Sequence, residues 1–174
     1  MPIYHKCGQS VRDLANDVLC QFDTHRPLLD CKLSIDLVFA YAKADKDGVK
    51  QGPAITKNGV PALGVTRVVS LKDRALGRGD AEVCLDGDWW NTASEEQQKA
   101  LLDHELHHIS VKIDKRGLVR DDLGRPVLQM RKHDYEFGWF KVVAERQGAA
   151  SVERRQAALM MDESGQAFWP SIAK

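Results

Sequence analysis

The sequence predicts an α+β fold: a small mixed or antiparallel sheet packed on a central helix and on a second helix later in the chain. Three observations predict it. Strand-type alternation fills the first half, at 31–44, 62–71 and 81–85. A capped helical periodicity begins at Ser94 and runs to about Ile113. A second helical run ends at Gln147, just before Gly148.

Composition sets the outer bounds. With 174 residues and 43% hydrophobic content the chain can bury a core as one domain over 1–174, with 150–174 as a C-terminal helix and tail. Its 25 basic and 25 acidic residues balance and are well mixed, so nothing points to nucleic acid as a partner. No stretch is apolar and long enough for a membrane span, and no signal-peptide core opens the chain, so a cytoplasmic location is expected. Cys7, Cys20, Cys31 and Cys84 lack C-x-x-C spacing, as expected of thiols in a reducing compartment. Oligomeric state leaves no trace in the sequence.

The elements follow in order. Val11, Leu14, Val18 and Phe22 recur at helical spacing, which predicts a helix over 10–23. Leu33, Ile35 and Leu37 alternate with Lys32, Ser34 and Asp36 and open the first long strand. The polar segment 45–59 reads as a loop or hairpin end; its Asp45-Lys46-Asp47-Gly48 lacks the spacing of a calcium loop. Val65, Val68 and Val69 mark the next strand, and Val83 and Leu85 the short one after it. Ser94 and Gln97 form a capping-box pattern, with Glu95 and Glu96 in the first turn, where the helix dipole favours acids. Ser151 caps a last helix reaching about Met161, and Phe168-Trp169 is expected to fold back onto the body.

The central helix contains H-E-x-x-H as His104, Glu105 and His108. Histidines four apart on a helix point the same way, so both imidazoles reach one ion. The glutamate is rotated by about 100°, placed to address a metal-activated water without ligating the metal. Leu102, Leu106, Ile109 and Ile113 share an apolar arc, while Asp103, Lys99, Ser110 and His107 share a polar one. His107 is therefore expected in solvent, outside the ligand set.

A catalytic zinc takes three protein ligands and keeps a fourth position for water. His133 opens the second helical run, which starts between Val127 and about Arg131 because Pro126 cannot lie inside it. His133, Phe137, Phe140 and Ala144 line one face. His133 is favoured as third ligand, with Glu136 its main competitor and Asp134 a weaker one.

These residues carry a resemblance. The block from Leu102 to His108, Gly124-Arg125-Pro126, Lys132-His133-Asp134 and Gly138-Trp139-Phe140 resemble the phage metallopeptidase family, as do Leu71-Lys72-Asp73-Arg74 and Asp80-Ala81-Glu82. The layout is also similar to SprT-like zincins, which pair H-E-x-x-H with a later histidine. The resemblance implies a zincin-like fold and a zinc-dependent peptidase acting on a protein or peptide, in the bacterial host's cytoplasm if phage-encoded. By analogy with zincins, 81–85 would be the sheet edge that pairs with substrate. Trp89 and Trp90 are candidates for the cleft wall, with ordinary core packing the better reading for at least one of them. Two other classes compete. One is a zinc-binding interaction protein without catalysis. The other is a di-iron carboxylate protein, suggested by Glu105-x-x-His108, which needs four long helices.

Overall fold

The computed structural model describes residues 1–133 and 140–164, with side chains in the last helix to residue 158. Alternating apolar residues build a four-stranded sheet from β1 (Ile3–Lys6), β2 (Ile35–Tyr41), β5 (Gly64–Val68) and β6 (Ala81–Asp86), in the order β1-β2-β6-β5. β2 and β6 run parallel in the middle, with Leu37 opposite Val83; β1 and β5 are antiparallel edges. The strand expected at the edge, 81–85, is therefore central. Its residues explain why: Ala81, Val83 and Leu85 are fully buried, and such a strand is stabilised by a neighbour on each side.

One sheet face packs on α1 (Gln9–Gln21) and α5 (Glu95–His107), through Val11, Val18, Leu101, Leu102 and Leu106. Full burial of each large aliphatic side chain here contributes about 1.5–3 kcal/mol. The short α2 (Arg26–Asp30) closes the end of this layer. Beneath the other face the 45–61 segment folds back, and Ala54 and Ile55 cover Ala40 in a smaller core. It ends in the hairpin β3 (Thr56–Lys57) and β4 (Val60–Pro61). Asp45 accepts hydrogen bonds from the Asp47 and Val49 amides, the turn chemistry expected there.

Between β5 and β6, α3 (Leu71–Ala75) buries Arg74, whose guanidinium pairs with Asp80 and with Asp121. In α4 (Gly87–Trp90), Trp90 is buried against Phe39, with ring centroids 5.6 Å apart, and Trp89 packs on the same core. The tryptophans are core residues and not cleft walls.

The helix expected to reach Ile113 stops at His107. Ile109-Ser110-Val111 forms β7 (Ile109–Val111) instead and pairs antiparallel with β10 (Leu128–Met130). Two β-branched residues favour that choice, and the ladder satisfies backbone groups that a frayed helix end would leave open. β8 (Ile113–Asp114) and β9 (Gly117–Leu118) form a hairpin between them. The second helix is likewise shorter than expected: 128–130 is strand, and α6 (Lys141–Gln147) begins only after Phe140. His133 thus sits on the irregular segment leaving β10, not on a helix. The competitors Asp134 and Glu136 lie outside the described residues, as does Phe168-Trp169. α7 (Val152–Ser164) starts as expected, the Ser151 hydroxyl accepting from the Arg154 amide.

No helix among the described residues exceeds 13 residues, and none is long and apolar enough to cross a membrane. The four long helices of a di-iron bundle are not found there.

Candidate metal centre

Ser94 caps α5 in a full capping box: its side chain accepts from the Gln97 amide, and the Gln97 side chain accepts from the Ser94 amide. The helix so started buries its whole C-terminal half, from Ala100 to His107. His104 and His108 are 8% and 4% exposed, with ring centroids 5.2 Å apart. His108 is the C-cap, yet keeps helical dihedrals, so the four-residue spacing still brings the two rings together, edge to face.

The β7–β10 ladder brings the third histidine back over the second. Its last rung joins the Arg131 amide to the His108 carbonyl at 2.7 Å, and His133 follows two residues later. The His133 ring lies 4.5 Å from His108 and 5.2 Å from His104, centroid to centroid. Fully buried Phe140 packs 4.9–5.1 Å from all three rings and closes the apolar floor. Ring nitrogens of the three histidines fall within 4.8 Å of one another.

Hydrogen bonds fix which nitrogens face inward. His104 Nδ1–H donates to Glu153 Oε1 at 2.7 Å, and His108 Nδ1–H donates to the Arg131 carbonyl at 2.9 Å. With Nδ1 donating in each ring, both Nε2 atoms face the centre, where a neutral ring offers a lone pair. His104 Nε2 stands 3.3 Å from His133 Nε2, a separation that a shared cation or a single proton must bridge. Burial, joined by neighbouring positive groups, pushes His108 and His133 down to about 4, so both are neutral donors near neutral pH. Burial also opposes charge on His104, but the Glu153 and Glu105 carboxylates outweigh it and push its pKa up. These donors suit a transition-metal ion, which requires deprotonated imidazoles oriented by a second layer of hydrogen bonds.

Glu105, 3% exposed, lines the same cavity of about 210 Å³ as the three histidines, with Leu63, Gly64 and Lys57 opposite. Burial raises its pKa, against the opposing pull of His104 and Thr66. A larger cavity of about 670 Å³, walled by Tyr4, Val38, Val65 and Cys84, opens on the other face of the sheet, away from the histidines.

His107 and Asp103 are not solvated as expected. Asp103 is fully buried and accepts from His25 Nε2 at 2.8 Å, Arg146 Nη2 at 3.1 Å and Gln147 Nε2 at 3.1 Å. Burial works against its charge, but these partners hold its pKa below the usual range. His107, 5% exposed, meets Arg131 Nη1 at 2.7 Å and Arg146 Nη2 at 3.5 Å, one on each ring nitrogen. Burial and these guanidiniums push it down to about 3. His25, Asp103 and His107 are close enough to share an ion, but the Arg146 guanidinium already supplies the cation, so this cluster is a buried clamp between α5 and α6.

A family model described as putative phage metallopeptidase matches residues 4–161, from β1 into α7. The chain belongs to this family. No curated protein and no solved structure matches it. Membership in the phage metallopeptidase family implies a metal cofactor and a protein or peptide substrate, and the matched span contains every residue of the histidine centre.

Three partners of the centre escape sequence reasoning. Glu153 reads as an ordinary first-turn acid of α7, which is all its position after Ser151 announces. Thr66 is one of several strand residues, and the Arg131 carbonyl carries no side-chain signal. Each acts through a contact between segments far apart in the chain.

Proposed function

We propose that the protein is a zinc-dependent peptidase in which His104, His108 and His133 hold the ion and Glu105 is the general base. One observation carries this reading: three imidazoles converge, ring nitrogens within 4.8 Å of one another, beside a buried glutamate in one cavity. The spacing suits zinc, because a tetrahedral ion with ligands at about 2.0–2.1 Å holds neighbouring nitrogens roughly 3.3–3.4 Å apart. His104 and His133 Nε2 are 3.3 Å apart.

A bound zinc ion would lower the pKa of a water and polarise the scissile carbonyl. The chain supplies the proton traffic. Glu105, whose burial raises its pKa above the ordinary carboxylate value, accepts the water's proton and then delivers it to the leaving amine. Glu153 and the Arg131 carbonyl keep the His104 and His108 rings turned inward. Register of the sheet leaves the backbone groups of Gly64 and Thr66 facing away from β6, since Leu63 and Val69 make the bonds to Asp86 and Asp80. The end of this edge at Leu63 and Gly64 lines the cavity, so an extended substrate backbone would add there and not along β6. Lys57 contributes a positive charge to the same wall.

Metal analysis coupled to peptide turnover tests the reading. Glu105→Gln should keep stoichiometric zinc and lose at least about 100-fold in kcat, the low end for a general base. A Gln variant that cleaves as fast as wild type would remove Glu105 from this role.

A further inference from the structure

Thr66 and Glu105 are 39 residues apart and no motif joins them, yet the fold presses them together. Thr66 Oγ1 lies 2.7 Å from Glu105 Oε2 and 3.0 Å from the Glu105 backbone oxygen. Both residues are buried, at 5% and 3% exposure. Gly64 stands two residues earlier, on the same face of β5. A Cβ at Gly64 would come within 2.6 Å of Glu105 Oε1 and 2.8 Å of its Cδ and Cγ, so the glutamate side chain would have to move. The strand therefore holds one carboxylate oxygen with a hydroxyl and makes room for the other by lacking a side chain. Gly64 and Glu105 both line the cavity of the three histidines, and Oε1 is the oxygen beside Gly64.

We infer that Thr66, aided by the bare backbone of Gly64, is a positioning residue that aims the Glu105 carboxylate into the metal cavity. The inference rests on the reading of Glu105 as general base. A glutamate has three free torsions, and a buried carboxylate oxygen without a donor is costly, so an unheld Glu105 would swing toward another partner. Lys57 lines the same cavity and offers one. A hydroxyl suits the task because it both donates and accepts. It donates to the carboxylate, and it can accept from the carboxylic acid while its own proton turns to the Glu105 carbonyl oxygen. Valine copies the shape of threonine and does neither; serine does both.

The test uses the full chain and the variants Thr66→Val, Thr66→Ser, Glu105→Met and the double variant Thr66→Val/Glu105→Met. Three quantities are read: Tm of the metal-free protein, zinc affinity by chelator competition, and kcat and KM on a peptide substrate. Thr66→Val should lower the metal-free Tm by roughly 3–10 °C in the wild-type background and by less in Glu105→Met, where the carboxylate bond is already gone and only the contact to the residue-105 carbonyl oxygen is left to lose. It should leave zinc affinity and KM within about threefold while kcat falls roughly 10–100-fold, the cost of a misplaced group. Thr66→Ser should recover most of that kcat. Additive Tm changes, loss of zinc in Thr66→Val, equal impairment of the Ser and Val variants, or an unimpaired Thr66→Val would each overturn the role. Should Thr66→Val not fold, Gly64→Ala reads the same aim from the other oxygen: zinc retained and kcat reduced, with an unchanged kcat overturning it. A wild type that binds zinc but cleaves no peptide overturns the peptidase reading itself; a cleaving wild type with an indifferent Thr66→Val overturns only the role of Thr66.

Discussion

Arg131 and His108 are tied together twice through the Arg131 backbone. The Arg131 amide donates to the His108 carbonyl at 2.7 Å, and the Arg131 carbonyl accepts from His108 Nδ1 at 2.9 Å. The first bond continues the β7–β10 ladder past the end of α5. The second sets the tautomer of His108. One short pairing thus places His133 and orients His108 together.

Gln129 stands opposite Ser110 in that ladder, on a hydrogen-bonded rung between those at Val127 and Arg131. Gln129→Pro removes its amide from the ladder and should cost about 1 kcal/mol of stability or more. Its zinc affinity should fall as in His133→Ala, although His104, Glu105 and His108 are all intact. Chelator competition on folded protein checks this; an unchanged affinity would separate the ladder from the centre.

Glu153 turns the His104 ring from behind, and its charge strengthens the bond it accepts. Glu153→Gln keeps the shape and loses the charge, so zinc affinity should drop about 10-fold, and Glu153→Ala nearer 100-fold. Equal affinity in all three proteins would reduce Glu153 to a packing residue.

Asp103 balances Arg146 and bonds His25 and Gln147 inside the protein. Asp103→Ala leaves a buried guanidinium and an unmatched imidazole, and should destabilise the fold by about 3–5 kcal/mol. Urea denaturation reads the loss. A cost below about 1 kcal/mol would mean that water fills the role.

Cys7 gives a pH dependence that is independent of the metal. Burial, and secondarily the nearby Cys84, push its thiol up from 9.0 to about 12. The unfolded chain then holds fewer protons than the folded one between these values, so stability is full below pH 9 and declines as pH rises toward 12. Cys7→Ala should show a shallower decline over that window in denaturant titrations. In native protein at pH 8, exposed Cys20 should react with a thiol reagent well before buried Cys7. Equal rates would contradict the burial.

Local signals were the legible ones. Ser94 and Gln97 announce the start of α5, and the spacing of His104 and His108 announces a shared direction, because both depend on a single turn of helix. His133 was readable as an inward-facing histidine but for the wrong reason: its neighbours show helical periodicity, whereas β10 forms because β7 pairs with 128–130. The same pairing cut α5 short at His107. Edge and centre of the sheet were exchanged because β5 and β6 both alternate, and only pairing decides which is flanked twice. His107 and Asp103 read as a solvated arc, since the helix alone cannot show that α6 and His25 cover it. Glu153 and Thr66 were invisible for that reason too: each is ordinary in its own segment and acquires its role across the fold.

In the proposed centre, His104, His108 and His133 grip one ion together. X-ray absorption at the zinc edge, on protein loaded with one equivalent, tests it most directly. Three imidazole nitrogens are expected at about 2.0–2.1 Å, and two in His133→Ala. A zinc shell without imidazole, or one that His133→Ala leaves unchanged, would contradict it.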